Sequence, residues 1–156
     1  MQSNHRQSTP RGSNLIKHFE GFSPVRYLCP AKIWTIGIGH AVRKGEKWDS
    51  PTITITEAEA LELLDKDNDE AERAVIRLIR VPLEDYQFDS LVSFCFNLGG
   101  GALQRSVLRS CLNRGEYYEA SLQFDKWIWG GGRILPGLVK RRRAERILFI
   151  TGALTL

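Results

Sequence analysis

Residues 56–80, TEAEALELLDKDNDEAERAVIRLIR, carry the strongest helical pattern in the chain. Thr56 and Glu59 have the spacing of a capping box, in which a hydroxyl and a carboxylate each satisfy a backbone N–H that the first turn leaves free. Leu61, Leu64, Val75, Leu78 and Ile79 recur as an apolar stripe, interrupted around Asn68. Pro82 cannot continue the helix and ends the pattern. At ~1.5 Å per residue the segment spans about 35 Å, most of a small domain, so it can join two lobes.

Upstream the pattern is short and mixed. Residues 1–12 read as a disordered basic tail. Ser13 or Asn14 is placed to cap a short helix whose apolar face is Leu15, Ile16 and Phe19 and whose end is Gly21. The runs VRYL (25–28), IWTIGIG (33–39) and TITI (52–55) are β-type and separated by Pro, Gly and charged turns, which predicts a small antiparallel sheet of two or three strands. Downstream, EDYQFDSLVSFCFNL, RSVLRSCLN, EYYEASLQFDKWIW and GLVKRRRAERILFI each stop at glycine, which predicts a helical lobe of four helices. The fold class is therefore α+β, predominantly helical. A single domain is expected over 13–156, with an N-terminal α/β lobe at 13–56, the joining helix at 56–80 and a helical lobe at 82–152.

The totals bound the function. A chain of 156 residues, 42% apolar, buries a real core as one domain. No apolar run approaches the length of a membrane span, and the polar first residues lack a secretory signal region. Cys29, Cys95 and Cys111 are irregularly spaced, fit no metal motif and read as free thiols of a reducing compartment. The net charge of +4 is patterned: residues 1–50 hold eight Lys/Arg against three acids, 51–100 four against eleven, and 101–156 ten against four. Basic ends suit an anionic polymer, whether nucleic acid, a membrane face or a wall glycan, and the acidic middle also reads as the solvated face of one long helix.

The chemistry concentrates in residues 19–40, FEGFSPVRYLCPAKIWTIGIGH, where Glu20 is the lone acid. Apolar neighbours (Phe19, Phe22, Trp34) and the partial negative charge of a helix C-terminus both disfavour an ionised carboxyl, so Glu20 is expected to hold its proton to unusually high pH. A carboxyl of that kind can protonate a glycosidic oxygen; a solvated glutamate at a helix end is the plainer alternative. Cys29 lies nine positions on, Thr35 fifteen and His40 twenty. Gly37 and Gly39 leave one strand face bare, which admits a ligand or another segment of backbone.

LIKHFEGF, Cys29 and WTIGIGH together resemble the active-site signature of phage-type lysozymes, the endolysins of glycoside hydrolase family 24, with Cys29 where that family usually has Asp. TITEAEALELLDKD, QFDSLVSFCFNLGGGALQRS and LPGLVKRRRAERILF resemble three further family segments in the same order, so the likeness covers about residues 13–151. It implies a lysozyme-like two-lobed fold and a muramidase that cleaves the β-1,4 bond between N-acetylmuramic acid and N-acetylglucosamine in peptidoglycan. It implies Glu20 as general acid, Cys29 in the role of the aspartate and Thr35 as a residue that places the water. Three outcomes are open for Cys29: it acts in the aspartate's role, Glu20 carries most of the catalysis alone, or the site is impaired. Arg141 is placed opposite Glu20, with Arg142 as the competing candidate about 100° away on the same helix; such an arginine would orient Glu20 and also favour its ionised form. Asn97 lines the cleft or caps its helix, and Trp34 is grouped with the substrate-binding residues. His40 and Asp67 are expected to form a structural ion pair between sheet and helix. Trp127 and Trp129 can stack on sugars, though aromatics at that spacing more often belong to a core. Ser106 is read as an N-cap. No metal or cofactor is implied.

The partners implied are peptidoglycan strands and a holin-type pore. The protein is expected to be a monomer made in the host cytoplasm that acts on the wall after release, and nucleic acid is not expected. Three other readings compete. A lytic transglycosylase would need only Glu20 and would yield a 1,6-anhydro sugar. A nucleic-acid binder would use VKRRRAER and bind with strong salt dependence. A glycan-binding protein without turnover would bind muropeptides and leave walls intact.

Overall fold

The computed structural model describes residues 4–156. Seven helices are described: α1 (Pro10–Glu20), α2 (Glu57–Leu78), α3 (Asp85–Leu98), α4 (Gly100–Gln104), α5 (Val107–Asn113), α6 (Tyr117–Gln123) and α7 (Pro136–Thr151). Three strands, β1 (Ser23–Leu28), β2 (Trp34–Gly37) and β3 (His40–Ala41), form an antiparallel sheet in that order, and β4 (Trp129–Gly130) pairs with β5 (Arg133–Ile134) as a separate hairpin.

The capping box of α2 is formed as the sequence spacing requires: Glu59 N–H donates to Thr56 Oγ1 at 3.1 Å, and Thr56 N–H donates to Glu59 Oε1 at 3.0 Å. The helix buries Ala60, Leu64, Ala71, Ala74, Val75 and Leu78. Asn68, which breaks the apolar stripe, is itself buried. The sheet rests on the first half of this helix. The second half packs on α3, whose face from Phe88 to Cys95 is buried throughout. Phe94 meets Phe124 and Trp127 edge to face, and Phe124 meets Phe149, which ties α3, the turn after α6 and α7 into one core.

Several boundaries differ from the sequence reading. Of the expected disordered tail, residues 1–3 lie outside the described residues, and the part that is described is anchored. Arg6 donates to the Leu83 carbonyl and to Asp85, both at 2.9 Å. Ser8 N–H donates to Glu72 Oε2 at 2.6 Å. Thr9 donates to Asp89 through its N–H at 2.8 Å and through its hydroxyl at 2.5 Å. With Thr9 pinned and Pro10 preset for a first helical turn, α1 starts ahead of Ser13 and Asn14. α1 then packs on α3 and α7, burying Leu15 with Ala144 and Leu148, so the segment expected in the N-terminal lobe belongs with the C-terminal helices. The third strand is His40–Ala41, while residues 52–55 form no strand and touch the sheet through the Ile55 N–H, which donates to the Pro24 carbonyl at 2.8 Å. The glycines at 99–101 do not end the helical region; Gly99 terminates α3 and the chain re-enters helix at Gly100. The segment expected to be helical to Trp129 leaves helix at Lys126 and becomes the β4–β5 hairpin, because Gly131 and Gly132 supply two successive positive φ angles, 60° and 80°, as a two-residue turn requires.

The anchored strap gives a stability prediction. Deleting residues 1–9 strips the buried Glu72 and Asp89 carboxylates of donors, which costs roughly 2–4 kcal/mol. Urea unfolding checks it; an unchanged midpoint contradicts the anchoring.

Candidate active site

Glu20 is the last residue of α1, which stops because Gly21 takes φ 63° and caps the Lys17 carbonyl. Its carboxylate points into a cleft of about 550 Å³ lined by Cys29, Thr35, Asn97 and Arg141, among others. One side of the cleft is the sheet and the turn after β1. The other side is built by the end of α3, the β4–β5 hairpin and the start of α7.

Arg141 Nη1 donates to Glu20 Oε1. This decides between the two arginines. Arg142, fully buried on the adjacent face of α7, donates to Asn97 Oδ1 at 2.7 Å and pairs with Glu145 at 2.8 Å. Burial lowers the Arg142 guanidinium's pKa to about 10 despite the opposing Glu145 charge, so it remains a cation near neutral pH. Asn97 lines the cleft and is held there by Arg142; the C-cap of α3 is Gly99, so the capping reading of Asn97 is not what the structure has.

Gly39 lies against the acid on the sheet side. Its φ is 70°, and a Cβ built on it would overlap the Glu20 carboxylate. The bare position in the GIGH run is therefore filled by the acid itself.

Tyr27 and Thr35 are cross-strand partners and both line the cleft. Thr35 is buried, and its hydroxyl donates to the Ile33 carbonyl at 3.0 Å, which leaves its lone pairs to accept a hydrogen bond. Cys29 is half-buried, a free thiol at the start of a tight turn in which its N–H donates to Ile33 O at 3.0 Å and its carbonyl accepts from Lys32 N–H at 2.8 Å. Tyr27 was not singled out by sequence; its phenol pKa is raised by burial and by the charges of Glu20 and Cys29, which marks it as part of the same cluster. The alternation of β2 would have found it, since the residue opposite Thr35 must share Thr35's face.

Trp34 is not brought into the cleft. Next to the inward Thr35, it turns to the outer face of the sheet, where it stays 42% exposed under the Arg26 guanidinium, 4.2 Å from its ring centroid. Trp129, by contrast, is exposed on the hairpin and lines the cleft, while Trp127 packs in the core. Cys95 is buried and its thiol is pushed up to about 12, and Cys111 is buried as well, so Cys29 is the only half-exposed thiol.

His40 Nδ1 lies 2.7 Å from Asp67 Oδ2, and Glu46 adds a second contact at 2.8 Å on Nε2. Two carboxylates on two ring nitrogens are satisfied together by the protonated ring. Burial works against that charge, but the hydrogen bonds and charges of Asp67 and Glu46 outweigh it and the ring's pKa is raised. Glu145 and Ser93, also missed by sequence, sit behind Arg141: Ser93 Oγ donates to Glu145 Oε2 at 2.6 Å, and Arg141 Nε lies 3.4 Å from the same oxygen. The signal was the i+3 and i+4 spacing of Glu145 from Arg142 and Arg141.

The family profile described as Phage lysozyme matches residues 17–145. The endolysin of Bacillus phage B103 is 43% identical over 143 residues, covering 90% of this chain and 53% of that protein, so the chain spans about half of that relative's length. Among solved structures, an endolysin from Escherichia coli O157:H7 phage FAHEc1 superposes with a TM-score of 0.85 at 30% identity, covering 99% of this chain and 100% of the other. The muramidase domain of SpmX from Asticaccaulis excentricus superposes with a TM-score of 0.79 at 35% identity, covering 94% and 99%.

Two predictions follow from this geometry. Gly39→Ala forces the Glu20 carboxylate off Arg141 and lowers activity by about 100-fold, because roughly an ångström of misplacement costs that much; cell-wall lysis near the wild-type rate contradicts it. The protonated His40 contributes stability that is complete below its unfolded pKa of about 6.5 and is lost as pH rises through the raised native value. Thermal melts of wild type and His40→Gln should therefore differ more at acidic than at alkaline pH, and a pH-independent difference contradicts the assignment.

Proposed function

Because this chain belongs to the phage lysozyme family, we propose that it is an endolysin that hydrolyses the β-1,4 bond between N-acetylmuramic acid and N-acetylglucosamine in bacterial peptidoglycan. The observation that carries this reading is Glu20, held by Arg141 at one side of a cleft whose other side presents Cys29 and Thr35. The muramidase domain it resembles supports the choice of bond.

In this reading Glu20 delivers its proton to the glycosidic oxygen as that bond breaks, and positive charge develops on the departing sugar carbon. Thr35 has its own proton committed to Ile33, so it accepts a hydrogen bond from the attacking water and leaves a water lone pair free to face that carbon. In this reading Cys29 stands as the base, its sulfur accepting the water's second proton as the new C–O bond forms. Proton return from the Cys29 thiol through solvent restores Glu20. The exposed indole of Trp129 offers a stacking surface for a sugar at the cleft edge. The net charge of +4 concentrates the protein on anionic wall polymers. Release through a holin-type pore and action as a monomer belong to the same reading.

Lysis of permeabilised Gram-negative cells tests the assignment. Glu20→Gln is expected to lose about 10²–10⁴-fold in rate, Cys29→Ala to lose a comparable factor, and Cys29→Asp to stay within roughly tenfold of wild type. An unimpaired Glu20→Gln variant would sink the reading, and an unimpaired Cys29→Ala variant would remove the thiol from the mechanism.

A further inference from the structure

Behind the Glu20–Arg141 pair lies a buried charge cluster that the proposed mechanism does not use. Glu145 is fully buried, and so is Arg142. Glu145 Oε2 accepts from Ser93 Oγ at 2.6 Å, from Arg142 Nη2 at 3.2 Å and from Arg141 Nε at 3.4 Å, and its Oε1 lies 2.8 Å from Arg142 Nε. Arg141 is held from a second direction by Ser93, whose carbonyl and hydroxyl both lie 3.3 Å from Nη2. Among the described residues, every side-chain hydrogen bond of Arg141 other than the one to Glu20 therefore ends on Glu145 or on Ser93, and Ser93 is itself bonded to Glu145. Arg142 Nη1 has no hydrogen-bond acceptor among the described residues, and besides the Phe94 ring 5.3 Å away the cation has Glu145 as its ion-pair partner and Asn97 as a hydrogen-bond acceptor.

We infer that Glu145 is a positioning residue for the Glu20 acid, acting through Arg141 both by fixing the guanidinium and by balancing its charge. This rests on the reading of Glu20 as the general acid. With Glu20 ionised, the four charges of Glu20, Arg141, Arg142 and Glu145 sum to zero. When Glu20 carries the proton it must donate, the cluster is left with one positive charge. Without Glu145 that protonated state would hold two buried, adjacent guanidinium charges with no carboxylate between them, an arrangement that favours loss of the proton from Glu20. The charged and titratable groups facing Glu20 are Arg141 from α7 with Arg142 behind it, Tyr27 from β1, Cys29 from the turn that follows and, across the cleft, Arg133 from β5. From α3 the cluster receives Ser93, Asn97 and the Cys95 thiol, which burial and the Glu145 charge push up to about 12 and so keep neutral. Glu145 is thus the carboxylate that offsets the two α7 arginines when Glu20 is neutral.

The test is the pH profile of kcat/KM on purified peptidoglycan, with folding followed by circular dichroism. Glu145→Gln should lower kcat and move the alkaline limb down by about one pH unit, because the remaining positive charge drives Glu20 to ionise earlier. Arg142→Gln should move that limb in the opposite direction. A folded Glu145→Gln variant whose limb stays in place overturns the inference. If that variant does not fold, Glu145→Asp decides. It keeps the charge but shortens the reach, so its limb should coincide with wild type while kcat falls; a wild-type kcat overturns the positioning role. Glu20→Gln in parallel separates the two levels, since its inactivity sustains the parent reading whatever the Glu145 variants do.

Discussion

The ion pair between Glu20 and Arg141 joins the first described helix to the last, 121 positions apart in sequence. Much of the structure serves to make that contact. The strap over residues 5–9 fixes the start of α1 on α2 and α3, so that the helix delivers Glu20 at its far end. The buried carboxylate of Glu145 and the backbone of α3 hold Arg141 from behind. Gly39 keeps the sheet side clear for the acid. α2 carries the sheet at one end and α3 at the other and so bridges the two cleft walls.

That division explains which parts of the protein were legible in its sequence. The boundaries of α2 and α3 are written in local signals, a capping box and a terminating glycine, and the sequence reading places both helices within a residue or two. His40 with Asp67, and Arg141 opposite Glu20, were anticipated through family likeness, although sequence alone could not choose between Arg141 and Arg142; the choice depends on how α7 is rotated against α3, a tertiary quantity. The strap was invisible because a Ser/Asn/Gln-rich tail carries no local ordering signal. Its order comes from carboxylates on α2 and α3 some 64 to 80 positions away. Trp34, grouped with the substrate-binding residues, lies outside the cleft because strand alternation sends it to the face opposite Thr35. The β4–β5 hairpin was hidden in an aromatic run that fits a helix equally well until the two positive-φ glycines are given weight.

The site is asymmetric in how its parts are held. Glu20 is clamped by a buried cation that is clamped in turn, whereas Cys29 sits half-exposed in a short turn that it joins through its own backbone N–H and carbonyl. The acid is thus preorganised by the core, and the thiol is positioned by the geometry of the turn alone. A rigid acid facing a lightly held partner suits a cleft in which the partner must work with a water whose place is set by Thr35, and it makes the fate of that water the most informative observable.

Digestion of purified peptidoglycan in ¹⁸O-labelled water, followed by mass spectrometry of the muropeptides, reads that fate directly. One ¹⁸O atom at the reducing carbon of N-acetylmuramic acid for each bond cut is the predicted result. A 1,6-anhydro product carrying no label would contradict the account, because water would then have no part in the reaction and Thr35 and Cys29 nothing to position.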